Sequence, residues 1–245
     1  MKKILFTSII ALTGLLAKGQ KSTDTTELFS RIRNIYMISR VAPIQYDFSI
    51  IYSQTSEIKE ENSNDTLSSH IELSGNKMRT KSNEMEVMQN ERYIVSVSQE
   101  EQQIMVGKTP VKPAVPAFEL LNNEVIGKIM VNWEEKHLDK KKLLIVYCNP
   151  ELGLSRMDIL TDSRTGKMEE INLKFPGAIV PAPADSRSTS SKSYSAIKYL
   201  FSNYKPLPAE FTGFEESQYF DIVNKEFVPA AAFKGYQIFL AFPNL

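Results

Sequence analysis

The stretch Met85-Glu-Val87-Met-Gln-Asn-Glu-Arg-Tyr93-Ile-Val95-Ser-Val97-Ser-Gln-Glu-Glu-Gln-Gln103-Ile104-Met-Val106 decides how the rest of the chain is read. Apolar side chains recur at every second position, and the polar breaks between the runs are only a few residues long. Period two is the signature of a half-buried strand, and such short breaks leave no room for a helical crossover. The stretch therefore predicts an antiparallel meander, and the flanking sequence reads as more strands of that sheet or helices laid on its apolar face.

Upstream, Ile44, Tyr46, Phe48, Ile50 and Tyr52 alternate with Gln45, Asp47, Ser49 and Ser53, the cleanest alternation in the chain. Leu67, Ile71 and Leu73 resume the period, and Gly75-Asn76 turns the chain into Met78-Arg79-Thr80. One side of the sheet is expected to be aromatic and aliphatic, the other polar. Glu57 to Asp65 is charged and Asn-rich and reads as a mobile loop or hairpin tip. Before these strands, Thr23-Asp24-Thr25-Thr26 offers N-cap side chains, and Leu28, Ile32, Ile35 and Tyr36 follow at three- and four-residue steps. This predicts an amphipathic helix that ends before Pro43.

Downstream, the three prolines of Thr109 to Pro116 remove ladder donors and predict a rigid spacer. Phe118, Leu121, Val125, Ile129 and Trp133 then fall at helical steps, so a second amphipathic helix is expected, followed by a charged loop from Glu134 to Lys142. Leu143 to Cys148 reads as a central strand. Ser155 to Thr161 and Met168 to Phe175 read as a hairpin. Pro176 to Ser193 reads as a long loop, and Ser195 to Tyr204 as a strand. A Phe- and Tyr-rich tail ends in a last strand, Tyr236 to Phe242.

With 245 residues, 42% hydrophobic and 10% aromatic, the chain can bury a sizeable core in one domain of the all-β or α+β kind. Residues 1–19 pair Lys2 and Lys3 with an apolar run and the small residues Ala17 and Gly19, the pattern of a cleaved signal peptide. Export to the periplasm or beyond is expected, with residues 20–245 as a single mature domain. Removing Lys2, Lys3 and Lys18 from 29 basic residues, and nothing from 29 acidic ones, leaves a net charge of about −3. That balance excludes the basic footprint of a nucleic-acid binder. No stretch of the mature chain is long and apolar enough for a membrane-spanning helix.

The inventory of reactive groups is thin. Cys148 lies inside an apolar run with no histidine nearby, which reads as a core residue. His70 falls on the polar side of a strand beside Glu72. His137 has carboxylates close by but lacks the spacing of a metal site. No nucleophile elbow, Walker loop or dinucleotide fingerprint occurs. Neither a cofactor nor a metal is expected, and the chain reads as a non-enzyme. A hydrolase built on carboxylates that only the fold brings together stays open.

The order of signal peptide, amphipathic helix, meander, Pro-rich loop with a second helix, then further meander strands resembles the LolA and LolB periplasmic lipoprotein carriers. That resemblance implies an incomplete β-barrel covered by helices, a half-barrel that shelters acyl chains. The ending, Glu226 to Leu245, and the cleavage context at Gln20 resemble a group of uncharacterised exported Bacteroidetes proteins, from which no activity carries over. The expected fold is thus α+β: a curved antiparallel meander, an incomplete barrel, covered by amphipathic helices. The candidate ligand-binding residues are Tyr46, Phe48, Ile50, Val95, Val97, Phe118, Leu121 and Trp133, lining an apolar cleft for a lipid-like or acyl ligand, free or on an acylated lipoprotein. The alternative expectation is a fully packed core in an envelope protein that grips a protein partner.

Overall fold

The computed structural model describes residues 21–38, 42–53, 65–109, 127–179 and 194–241. The expected signal peptide, Phe118, Leu121 and most of the second helix, the Pro-rich spacer from Pro110 onward and most of the Glu57 to Asp65 loop lie outside these residues.

In chain order the elements are β1 (Lys21–Ser22), α1 (Thr25–Ile38), β2 (Ile44–Ser53), β3 (Asp65–Ser74), β4 (Lys77–Lys81), β5 (Met85–Gln89), β6 (Tyr93–Ser98) and β7 (Gln103–Lys108). There follow β8 (Met130–Leu138), β9 (Lys141–Cys148), β10 (Arg156–Asp162), β11 (Met168–Ile179), β12 (Tyr194–Pro206), β13 (Phe220–Val223), β14 (Glu226–Pro229) and β15 (Gln237–Leu240).

Among the described residues one sheet carries 13 strands in the order β1-β8-β9-β10-β11-β12-β2-β3-β4-β5-β6-β7-β15. Two meanders, β2 to β7 and β8 to β12, are joined where β12 pairs antiparallel with β2, placing Phe201 opposite Phe48 and Tyr199 opposite Ile50. The sheet is open, with edges at β1 and β15, and so is not closed into a barrel. It is also mixed: β15 runs parallel to β7, whereas the sequence predicts only antiparallel neighbours. A separate hairpin, β13 and β14, turns through Asn224 and Lys225, both at positive φ (53° and 70°). That is the backbone a two-residue type I′ turn needs.

Helix α1 forms as expected. The Asp24 side chain accepts from the backbone N–H groups of Thr26 and Glu27 at 2.8 and 3.0 Å, capping donors that the first turn leaves unpaired. Leu28 (0% exposed) and Ile32 (4%) lie in one cluster with Tyr46, Trp133, Leu144, Val146, Ile159, Ile171 and Phe201. The helix is fixed to the sheet at its start, where the Trp133 indole N–H donates to the Asp24 carbonyl at 2.9 Å. Arg31 lies over the Trp133 ring and pairs with Glu135 at 2.6 Å.

Two expectations are overturned. Trp133 does not close a helix: only residues 127–129 are helical in that part of the described chain, and Trp133 sits mid-strand in β8, opposite Val146. Ile129, Val131 and Trp133 also alternate, and so short an apolar run fits either period until its neighbours decide. Accordingly, the expected charged loop is the end of β8, a tight turn at Asp139-Lys140, and the start of β9.

The second correction concerns the sheet faces. Following the register from β2, Tyr46 stands opposite Ile71, Ile71 opposite Thr80, and Thr80 opposite Val87. Gln45 leads instead to Glu72, Arg79, Met88, Val95 and Val106. The apolar side therefore changes between β4 and β5. Residues on the Tyr46 side form the first cluster under α1. Met88, Val95, Val97, Ile104 and Val106, on the other side, form a second cluster with Tyr219 and Phe220 of the C-terminal segment.

Candidate ligand-binding face

The aromatic side chains concentrate at the seam of β2 and β12. Tyr46, Phe48, Phe201, Tyr199 and Tyr204 form a continuous run, with ring centroids 5.1 Å apart for Tyr46 and Tyr204, 5.2 Å for Phe48 and Phe201, and 5.9 Å for the stacked Phe48 and Tyr199. The strand alternation puts them on one side, because β2 contributes even-numbered residues and β12 odd-numbered ones as far as Phe201.

Burial along the run is graded. Near the start of β2 the face is closed: Ile44 (8%), Tyr46 (9%), Phe201 (7%) and Trp133 (3%) are all buried. Toward the other end of the strand Phe48, Ile50, Tyr52, Ile197 and Tyr199 are half-buried, and Leu67, opposite Ile50, is 60% exposed. The apolar strip thus continues beyond the closed core.

Few polar groups interrupt the strip. The Tyr204 hydroxyl donates to the Met168 carbonyl at 2.7 Å, and burial raises the pKa of both Tyr199 and Tyr204. The Cys148 thiol, 4% exposed within the first cluster, is pushed up to about 11 by burial, which disfavours the thiolate at neutral pH.

Of the predicted site residues, Tyr46, Phe48, Ile50 and Trp133 share this face, with Trp133 wholly inside the core. Val95 and Val97, 0% and 1% exposed, belong to the second cluster on the opposite side. Phe118 and Leu121 lie outside the described residues. Sequence reasoning missed Phe201 and Tyr199 as partners of Phe48. Their alternation was visible, but the pairing of two strands some 150 positions apart was not.

The polar side of β2 and β3 holds the groups closest to catalytic chemistry. His70 Nδ1 lies 2.7 Å from Asp47 Oδ1, and Nε2 lies 3.2 Å from Gln45 Oε1. Hydrogen bonds from Asn203 and then from His70 hold the Asp47 carboxyl below its usual range. The neighbouring Ser49 and Ser68 hydroxyls bond each other at 3.0 Å. Nε2 faces Gln45 and not a hydroxyl, so the arrangement lacks the base-to-nucleophile contact of a triad. His137 is exposed, with Nε2 3.4 Å from Glu135. Among the described residues no group of three His, Cys, Asp or Glu side chains could hold a metal ion.

Two further features are structural in character. A surface cleft of about 490 Å³ is lined by Lys141, Asp162, Lys167, Glu169, Asn203 and Tyr204 among others, but its charges are engaged internally: Lys141 pairs with Glu169 at 2.7 Å, and Lys167 lies over the Tyr204 ring. Between the two clusters, Arg79 bridges Glu86 at 2.7 Å and Glu72 at 3.4 Å, and the Tyr219 hydroxyl donates to Glu86 at 2.5 Å. Gly213 packs so closely on the Arg79 guanidinium that a Cβ there would collide with it.

No family model and no curated protein matches this chain. Among solved structures, it is similar to an uncharacterized conserved protein from Thermus thermophilus, at 10% identity over 88% of this chain and 98% of the other, with a TM-score of 0.43. It is also similar to a LolA superfamily protein from Nitrosomonas europaea, at 9% identity over 76% and 95% of the two chains and a TM-score of 0.30. A third is a putative outer membrane lipoprotein-sorting protein domain from Vibrio parahaemolyticus, at 10% identity over 80% and 97% and a TM-score of 0.30.

Proposed function

We propose that this chain is an exported, non-enzymatic binding protein that holds a lipid-like or acyl ligand, free or carried on a lipoprotein, against the aromatic strip beside α1. The observation that carries this reading is the graded burial of the strip: sealed by Leu28 and Ile32 at one end, half-open at Phe48, Ile50, Tyr52, Ile197 and Tyr199, and exposed at Leu67. An acyl chain lying there gains about 0.8 kcal/mol per buried methylene, so half a lipid tail contributes on the order of 5 kcal/mol without a catalytic group. Native mass spectrometry of the purified mature protein, with thermal shifts on adding palmitate or phospholipid vesicles, tests it. A co-purifying lipid, or a shift that Phe48→Asp abolishes, supports the reading. The absence of both a co-purifying lipid and a shift overturns it.

The second reading, an envelope interaction module with a packed interior, draws on the near-complete burial of Tyr46, Trp133, Val95 and Val97. Crosslinking in cells that captures one protein and no lipid would favour it.

A further inference from the structure

The two edges of the sheet are built differently. Beyond the two residues paired with β1, the outer edge of β8 runs through Glu135, Lys136 and His137. Charges of that kind discourage the approach of another strand. The other edge is β15, and from Gln237 to Ala241 it has no charged residue and no proline. Ile238 packs into the second cluster, while Phe239 and Leu240 are 44% and 42% exposed beside Met105 at 53%.

The backbone fixes what this edge can pair with. The N–H of Gln237 donates to the Gln102 carbonyl and that of Ala241 to the Val106 carbonyl, so residues 237, 239 and 241 turn their polar groups toward β7. By alternation, the N–H and C=O groups of Ile238 and Leu240 point away from the sheet. In an antiparallel ladder centred on Phe239, Ile238 of one copy falls opposite Leu240 of the other. Both residues present outward donors and acceptors, so the two pairs exchange four hydrogen bonds. Phe239 then meets Phe239 of the other copy as a non-hydrogen-bonded pair, the closer of the two kinds. No charge opposes a like charge from 237 to 241. A two-fold contact of this sort is self-complementary.

We propose that the edge of β15, unpaired among the described residues, pairs antiparallel with the same edge of a second copy of this chain, with Phe239 on the two-fold axis.

Single-cysteine variants of the full mature chain, made on a Cys148→Ala background, test the register. Phe239→Cys is expected to form a disulfide-linked dimer on mild oxidation, because directly opposed residues of this kind lie about 4.5 Å apart at Cα, within disulfide reach. Ile238→Cys is offset from its own copy by two residues and is expected to crosslink roughly tenfold less. Sedimentation at tens of micromolar should show a dimer in the wild type that Leu240→Lys abolishes. Leu240→Pro should do the same, since it removes only an outward N–H and leaves the β7 ladder intact; unchanged circular dichroism confirms folding of both variants. A monomer at every concentration overturns the proposal. So do equal crosslinking of Phe239→Cys and Ile238→Cys, and a dimer that survives both Leu240 substitutions. Crosslinking of Phe239→Cys only to a different protein also overturns it, placing a foreign strand on this edge instead.

Discussion

The sheet carries two apolar clusters on opposite sides, and they are finished in different ways. The first is roofed by one amphipathic helix, and its aromatic strip runs on past the roof into half-buried positions. The second is sealed by the C-terminal segment: Tyr219 and Phe220 are 1% and 2% exposed, Phe227, Phe233 and Tyr236 pack around them, and Tyr93 meets Phe220 edge-on at 5.5 Å. Similar strands thus give a strip with accessible apolar surface in one half and a closed core in the other. The covering element, not the strand, sets which half keeps apolar surface accessible.

If the second cluster is purely structural, removing its central ring should have the largest effect. Tyr219→Ala takes away a buried ring and leaves Glu86 without its hydroxyl partner, so a loss of about 3–5 kcal/mol is expected by urea unfolding, with ligand affinity of the surviving folded protein unchanged. Leu28→Ala empties the contact that holds α1 on the first cluster and should cost about 2–5 kcal/mol. Amide exchange sharpens the comparison: Leu28→Ala should lower protection in α1, β9 and β10 before β6 and β7, and the two clusters behave as one if all fall together. Asp24→Ala removes only the cap and should cost about 1 kcal/mol, seen as faster exchange in the first turn of α1.

The smallest effects come from pH, with opposite signs at two carboxylates on the polar side. The Asp47 pKa is lowered in the folded protein, so its contribution is present above its ordinary value of 3.8 and is lost as pH falls through the folded value. Asp47→Asn should flatten that acid-side loss in a pH series of denaturation midpoints. The Glu72 pKa is raised, chiefly by burial and partly offset by Arg79, His70 and Lys81. Its charged form is penalised at neutral pH, and stability is regained as pH falls through the raised value toward 4.5. Glu72→Gln should remove that regain, and an unchanged slope would show that Glu72 does not titrate there.

Much of the fold was legible. Cap side chains among Thr23 to Thr26 followed by Leu28, Ile32 and Ile35 specified a capped amphipathic helix, and the runs from Ile44 to Tyr52 and from Met85 to Val106 specified strands, because both periods reflect which side chains a regular backbone presents together. The site was legible only in part. Tyr46, Phe48 and Ile50 were found as a face, but their partners Phe201 and Tyr199 come from a strand at the far end of the second meander. Trp133 was assigned to a helix because a short apolar run satisfies both periods.

The sequence alone determined most of the elements: local periodicity, cap side chains among Thr23 to Thr26, the Gly75-Asn76 turn and an apolar content large enough for a core. The tertiary structure decided which face each strand turns to which cover, and which strands lie outermost among the described residues. Alternation states only that Val95 and Val97 share a side. Whether that side is also the side of Tyr46 depends on the pairing register of every intervening strand, and a shift of one residue reverses it. The same holds for β15, whose residues become the outermost strand among the described residues only because they dock parallel to β7 after the chain has crossed the second cluster.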